Sequence, residues 1–408
     1  MLQINLILLN ILSEEFEAEL DNILSFWEQN SVDEINGGFI GQIDENNVRN
    51  YEASKGLILN ARILWTFSAA YKQTKNQTHF ELAQRAYQYL ITYFYDKLNK
   101  GFYWLLSPDG KVIDGKKHIY SQTFVIYGLS EYYTISHDQN ALDLAIEIYH
   151  LIVEKSKDLV NGGYTEAFSA DWKELSDLRL SVKDVNVQKT MNTHLHIVEA
   201  FANLYESWAD EELKSEIISI LYLINEKFID HKSGHLKLFF DNKWQDHTDV
   251  ISYGHDVEAS WLLLRCAEIV EDDKLIEVYK EVAIKLMDSS ISAIDADGGL
   301  WYEKEINSGA FVKEKHWWPQ SEFVIGAMNA YQLTSDNKYL NYCKNNWTFI
   351  KEKMINPTGE WFWGIGEDYL PMANQDKAGF WKCPYHNARM CLELINRLKS
   401  KEITISNI

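Results

Sequence analysis

Two histidines stand where a proton could be moved to and from carbon. In SYGHDVEASW, His255 and Glu258 are three residues apart and share a helix face, with Glu258 placed to orient the imidazole or to bind a substrate hydroxyl. In KCPYHNARM, His386 comes just after Pro384, at the expected start of a helix, where the dipole disfavours imidazolium and leaves a neutral base. A lone histidine is more often structural than catalytic. Together, facing one carbon from opposite sides, they could take a proton from one face and return it to the other.

Other residues could complete a polar pocket. His196 lies four after Asn192 in KTMNTHLH, on the same helix face, as a possible hydrogen-bonding rung. His194 and His196 are two apart, so they do not face together, and with no third ligand nearby no metal site is expected. Arg62 sits in the apolar run LILNARILW, where an unpaired buried guanidinium costs on the order of several kcal/mol, so an anion or carboxylate is needed nearby. A structural ion pair would meet that need, and so would an oxyanion developing on a substrate. In HWWPQSE, Trp317 and Trp318 precede Glu322, and Trp381 precedes Lys382 and Cys383. Indole faces beside carboxylates and amides suit neutral sugar rings, although any one Trp is equally well read as core.

The elements that must position these residues come from a repeat. A glycine followed by aromatic or apolar residues recurs at Gly38, Gly101, Gly163, Gly234, Gly299 and Gly359, at intervals of 63, 62, 71, 65 and 60 residues. Each interval holds two segments of helical periodicity, as in Ile197, Ala200, Phe201 and Leu204, then Ile217, Leu221, Ile224 and Phe228. Five pairs run from about Ser54 to Lys353, and lone helices are expected over about Ser13–Gln29, with Ser13 as the clearest cap, and Tyr385–Leu398. If the array closes, the two lone helices form a sixth pair. The fold class is therefore all-α, an (α/α)6 barrel forming a single domain over 1–408; an open solenoid is the alternative. The first helices of the pairs carry Arg62, Tyr120, Asn192 with His196, His255 with Glu258, and Trp318 with Glu322, and Trp381 with His386 comes from the last helix and its approach. Their recurrence implies one polar, aromatic-walled pocket near the axis.

Composition narrows the ligand. Against 39 Lys plus Arg stand 60 Asp plus Glu, a net charge of −21, which disfavours nucleic acid and anionic membrane surfaces. A neutral ligand is expected. The four cysteines, Cys266, Cys343, Cys383 and Cys391, form no metal or disulfide pattern, and free thiols point to the cytoplasm. The opening MLQINLILLNIL lacks a basic flank and a cleavage site, so neither a leader nor a membrane span is expected. The tail 400–408 is expected to be disordered.

The motifs KTMNTHLH, YGHDVEASW, WWPQSE and WKCPYHNARMCLE resemble the signatures of the N-acylglucosamine 2-epimerase superfamily, and within it the cellobiose 2-epimerase branch, over about Phe26 to Leu398. The resemblance implies an (α/α)6 barrel that inverts C2 of the reducing-end glucose of cellobiose through a ring-opened enediolate, with no cofactor. It implies His255 and His386 as the acid/base pair, and His196 and Arg62 in support of ring opening and the enediolate. Tyr120, Asn192, Glu258, Trp318 and Glu322 would hold the reacting sugar, with Trp261 acting through packing, while Asp184 and Trp381 would meet the second sugar. The sequence departs from the family at Ser321, where Ala is frequent. A mono- or disaccharide is then the partner, and a monomer or weak dimer the working form. Epimerases or isomerases of monosaccharides are the nearest alternatives; a glycoside hydrolase using Glu258 and Glu322 as its carboxylate pair, or a lyase, is more distant.

Overall fold

The structure, a computed structural model, describes residues 2–405. Helix α1 spans Leu2–Asn30, and five hairpins follow: α2 Leu57–Thr74 with α3 Gln77–Tyr89, α4 Ile119–Ser136 with α5 Gln139–Ser156, α6 Met191–Ser207 with α7 Glu211–Leu223, α8 Tyr253–Ile269 with α9 Asp273–Ser290, and α10 Trp317–Thr334 with α11 Asn337–Phe349. Helix α12, Tyr385–Ile405, ends the array. The even-numbered helices pack in sequence, α2 on α4, α4 on α6, and so on to α12, which also packs on α2. That inner ring therefore returns on itself, and α1 lies against α12 as the sixth pair. The inner helices are buried on nearly every face, as α4 shows, whereas an outer helix such as α3 buries one stripe against them.

Local chemistry explains the repeat. Gly38, Gly101, Gly163, Gly234 and Gly359 all have positive φ, which glycine adopts at least cost, and in the fifth repeat Gly298 rather than Gly299 does so. A Cβ at Gly163 would stand 2.9 Å from His194 Nε2, so the turn has no room for one. His194 is part of this scaffold: its Nε2 accepts from the Tyr164 N–H at 2.9 Å and its Nδ1 meets Thr190 O at 2.7 Å. Gln122 and Gln320 hold the backbone of Phe102 and Leu300 in the same way. Each loop also carries an acid that pairs with a buried lysine just before an inner helix: Lys55–Asp33, Lys117–Asp96, Lys189–Asp158, Lys315–Asp295 and Lys382–Glu360, at 2.7–3.0 Å. In the fourth repeat His235 and Asp256, 2.7 Å apart, take that role.

Several boundaries differ from the sequence expectation. Helix α1 extends upstream of Ser13, because the apolar stretch before it continues the helix. Ser13 is therefore no cap, and the clear caps lie elsewhere: Asn76, Asp138, Asp210, Asp272 and Asp336 each accept from a backbone N–H in the first turn of an outer helix. The tail expected to be disordered from Ser400 continues α12 to Ile405, and 406–408 lie outside the described residues. Short antiparallel strand pairs, such as Lys117–His118 with Ala167–Phe168, join neighbouring loops. Through them the loop of the next repeat caps an inner helix: Leu57, Ile119, Met191 and Trp317 donate their N–H groups to Trp104, Glu166, Leu238 and Trp363. The N-terminal ends of the inner helices are thereby fixed at one mouth of the barrel. Among the described residues no helix is long and apolar enough to cross a membrane.

Candidate active site

That mouth gathers the chemistry. His255 lies in the first turn of α8, His386 in the first turn of α12, and Trp318 in the first turn of α10, with its ring centroid 4.9 Å from His255 and 5.7 Å from His386. The two imidazoles thus both border one indole. His386 Nδ1 is 2.7 Å from Glu322 Oε1, and His255 Nδ1 is 2.8 Å from Ser252 Oγ. His196 is held like His386, its Nδ1 2.7 Å from Glu199 Oε2. An ionised carboxylate only accepts, so His196 and His386 carry hydrogen on Nδ1 and leave Nε2 as the basic atom.

Two expected pairings are corrected here. Glu258 does not orient His255; Ser252 does, and Glu258 Oε1 instead accepts from Arg389 Nη2 at 2.7 Å. Asn192 does not pair with His196, which turns to Glu199, one helical turn onward, and leaves the Asn192 Oδ1 atom without a protein partner. Arg389 is a residue that sequence reasoning missed. Its Nη1 donates to Glu199 at 2.5 Å and to the Tyr385 hydroxyl, and its Nη2 donates to Glu258 and, at 2.6 Å, to Glu322. Trp261 is buried beneath the site; its Nε1 donates to Glu322 Oε2 at 3.0 Å and its ring underlies the guanidinium. Spacing three residues after His196 and after His386 was the available signal for Glu199 and Arg389.

Of the two readings open for Arg62, the structural ion pair is not found among the described residues. Among the described residues no carboxylate pairs with Arg62: Nη2 donates to Tyr120 Oη at 2.7 Å, Nη1 lies 3.9 Å from Cys383 Sγ, and the guanidinium sits over the rings of Phe124 and Tyr385 at 4.1 and 4.9 Å. Burial opposes its charge, but Tyr120, Cys383 and Tyr385 outweigh burial and keep it protonated. Its Nε has no partner, so a full positive charge with unused donor capacity borders the pocket. Tyr120 stands edge-on to His196, centroids 5.0 Å apart, and 6.4 Å from Trp381. Asp184 lies apart on the loop before α6, with Oδ2 accepting from Ser181 N at 2.8 Å. Its carboxylate is felt by Tyr302, which stacks on His316 at 4.0 Å and borders Trp318. Asp184 and Trp381 therefore approach different parts of the rim. Ser321 donates to Trp317 O at 3.1 Å within α10, so its hydroxyl is engaged inside the helix.

Burial sets the protonation of the site. It pushes His255 down to about 3, with His196 adding repulsion, and it pushes His386 well down with help from Arg62 and Arg389. Both rest neutral, as bases must. Burial and the charge of Glu322 raise Glu258 to about 7, so it exchanges its proton near neutrality. Glu258, Glu322 and His386 place ligand atoms within 4.8 Å of one another, a spacing that suits a metal ion, but both carboxylates already accept from Arg389. Because the same nitrogen of Arg389 binds both, the two carboxylates stand side by side and do not flank a bond as a hydrolase pair does.

The sequence profile of the N-acylglucosamine 2-epimerase (GlcNAc 2-epimerase) family matches residues 38–389. The chain belongs to this family. Within the N-acylglucosamine 2-epimerase family it is 44% identical to cellobiose 2-epimerase of Bacteroides fragilis over 387 residues, 94% of this chain and 99% of that one. It is 40% identical to cellobiose 2-epimerase of Dictyoglomus turgidum, covering 95% and 98% of the two chains. The structure of cellobiose 2-epimerase from Bacillus thermoamylovorans superposes with a TM-score of 0.90 at 39% identity, over 95% of this chain and all of that one. That superposition agrees with the ring of helix pairs described above.

Proposed function

We propose that this enzyme inverts C2 of the reducing-end glucose of cellobiose, interconverting it with the mannose epimer. The observation that carries the mechanism is the gathering of two neutral histidines from different repeats against Trp318, each with its Nδ1 anchored. With the sugar ring open, Nε2 of one histidine removes the C2 proton and the electron pair forms the C1–C2 double bond of an enediolate. The charge collects on oxygen, where Arg62, having no carboxylate of its own, stabilises it. The other histidine, protonated, delivers its proton to the opposite face of C2. The acid histidine draws that proton from solvent, and Glu258, raised to about 7 by burial and by Glu322, holds a hydroxyl of the reacting sugar. His196 and Arg62 serve ring opening, Tyr120, Asn192, Trp318 and Glu322 hold the reacting sugar, and Asp184 and Trp381 the second sugar.

Incubation of cellobiose with the enzyme in heavy water, followed by NMR, tests this reading. The expected product is 4-O-glucosyl-mannose with one deuterium at C2. Release of free glucose, or turnover of mannose without any change to cellobiose, would refute it.

A further inference from the structure

Three buried carboxylates from three inner helices meet one guanidinium. Arg389 uses all four of its terminal N–H groups: Nη1 on Glu199 and the Tyr385 hydroxyl, Nη2 on Glu258 and Glu322. Arg389, Glu199, Glu258 and Glu322 are each at most 3% exposed. Two of those carboxylates are the partners of histidine Nδ1 atoms, so one unbroken series runs His196–Glu199–Arg389–Glu322–His386. On the far side of this layer a cavity of about 280 Å3 opens between the C-terminal halves of the inner helices, with Arg389, Glu199 and Trp261 in its wall. The layer separates the catalytic mouth from the opposite end of the barrel.

The consequence follows from hydrogen-bond chemistry. A carboxylate can hold a neutral imidazole in the Nδ1–H form only while it is ionised, since a protonated carboxyl can donate to Nδ1 and drive the hydrogen to Nε2. Burial raises Glu322 and would favour its protonation, and Arg389 is the first opposing influence. Tyr385 and Trp261 add neutral donors to Glu199 and Glu322, but among the described residues no other cation bonds to these carboxylates. The planar fork of arginine can serve four acceptors in fixed directions, whereas a lysine ammonium offers three donors at one point.

We propose that Arg389 is a positioning residue that keeps Glu199 and Glu322 ionised together, and so holds His196 and His386 in the Nδ1–H form with Nε2 free to act on the sugar. Arg389 touches no reacting atom in this scheme. The inference rests on the proposed two-histidine epimerisation for its rate consequence, but not for its statement about tautomers.

The test uses Arg389→Lys and Arg389→Met in the full chain, with wild type alongside. Expected for Arg389→Lys are a native circular dichroism spectrum, a KM for cellobiose within about threefold of wild type, a kcat at least about 100-fold lower, and an acid limb of kcat moved to higher pH by one unit or more. The shift is upward because three donors at one point cannot serve four acceptors, and a carboxylate left without its charged donor needs higher pH to ionise. Nitrogen-15 spectra of histidine-labelled protein, assigned with His196→Ala and His386→Ala, should show both rings as Nδ1–H in wild type and as mixtures in Arg389→Lys. Wild-type kcat and pH limb in Arg389→Lys would overturn the proposal, as would unchanged Nδ1–H signals in a folded variant. If Arg389→Met does not fold, Arg389→Lys and the spectra still decide. Wild type that fails to epimerise cellobiose yet shows the Nδ1–H signals would sink the proposed function and leave the tautomer assignment standing.

Discussion

Arg62 and Arg389 are both buried guanidiniums, and their partners separate their roles. Arg389 balances three carboxylates, whereas Arg62 meets a phenol, a thiol and aromatic faces. Removing Arg62 leaves no orphaned anion, so Arg62→Met should lower kcat by about 100- to 1000-fold, as loss of an oxyanion donor does, with the melting temperature nearly unchanged. A fall in melting temperature matching the loss of rate would instead make Arg62 structural. The two histidines are separable in the same spirit. His255→Ala and His386→Ala should each lose epimerisation, yet each should still exchange the C2 hydrogen of one epimer with solvent through the remaining base. NMR in heavy water reads this directly, and exchange of both epimers by one variant would exclude a base on each face. At this scale the sequence revealed the reactive groups, because imidazoles at helix starts and a charge in an apolar run are unusual in themselves. Their partners were less legible: Ser252 precedes its helix, and Glu199 and Arg389 looked like ordinary interior charges until α6 and α12 came together.

At the scale of elements, the six glycines revealed the period because five of them take a left-handed turn and the sixth, Gly299, follows Gly298, which does, yet the residues that lock the turns lay unread in the same stretches. Asp33, Asp96 and Asp158 each stand five residues before a repeat glycine, and each holds a buried lysine. Such a pair is invisible to hydrophobic periodicity, which treats both members as surface. The start of α6 shows how a buried acid couples an element to pH. Glu166 accepts from Thr190 N at 2.7 Å and from Thr193 Oγ1, and burial raises it to about 8 despite those bonds. A carboxyl whose folded pKa is raised binds its proton more tightly when folded; its contribution is full below about 4.5, and is lost as pH rises through about 8. Glu166→Gln keeps the shape and removes the ionisation. The melting temperature of this variant relative to wild type should therefore rise steadily from pH 5 to pH 9. A constant difference across that range would show that Glu166 titrates alike in the folded and unfolded chains.

For the whole molecule, a net charge of −21 offers nothing to steer a neutral sugar, so KM for cellobiose should change by less than about twofold between 20 and 500 mM NaCl. Closure of the ring has a sharper consequence. Helix α1 joins the last repeat through indoles donating to carboxylates: Trp27 to Glu360 at 2.5 Å, Trp361 to Glu19 at 2.6 Å and Trp347 to Glu15 at 2.6 Å. Glu360 also holds Lys382 at 2.9 Å and Asn387 at 2.7 Å, both fully buried, just ahead of and within α12. One carboxylate thus ties the outer helix, the loop and the inner helix that close the barrel. Glu360→Gln retains most hydrogen-bonding positions but strands the Lys382 ammonium in the interior, at a cost of about 3–5 kcal/mol. If the chain is one cooperative unit, that cost appears as a lower urea midpoint with an unchanged slope and a single transition, because no part of the ring can open without exposing the rest. Unfolding followed by tryptophan fluorescence and by far-ultraviolet circular dichroism should coincide in the variant as in wild type. A fluorescence transition that precedes the loss of helix would mean that α1 and α12 release first, and that the chain is an open array with a latch.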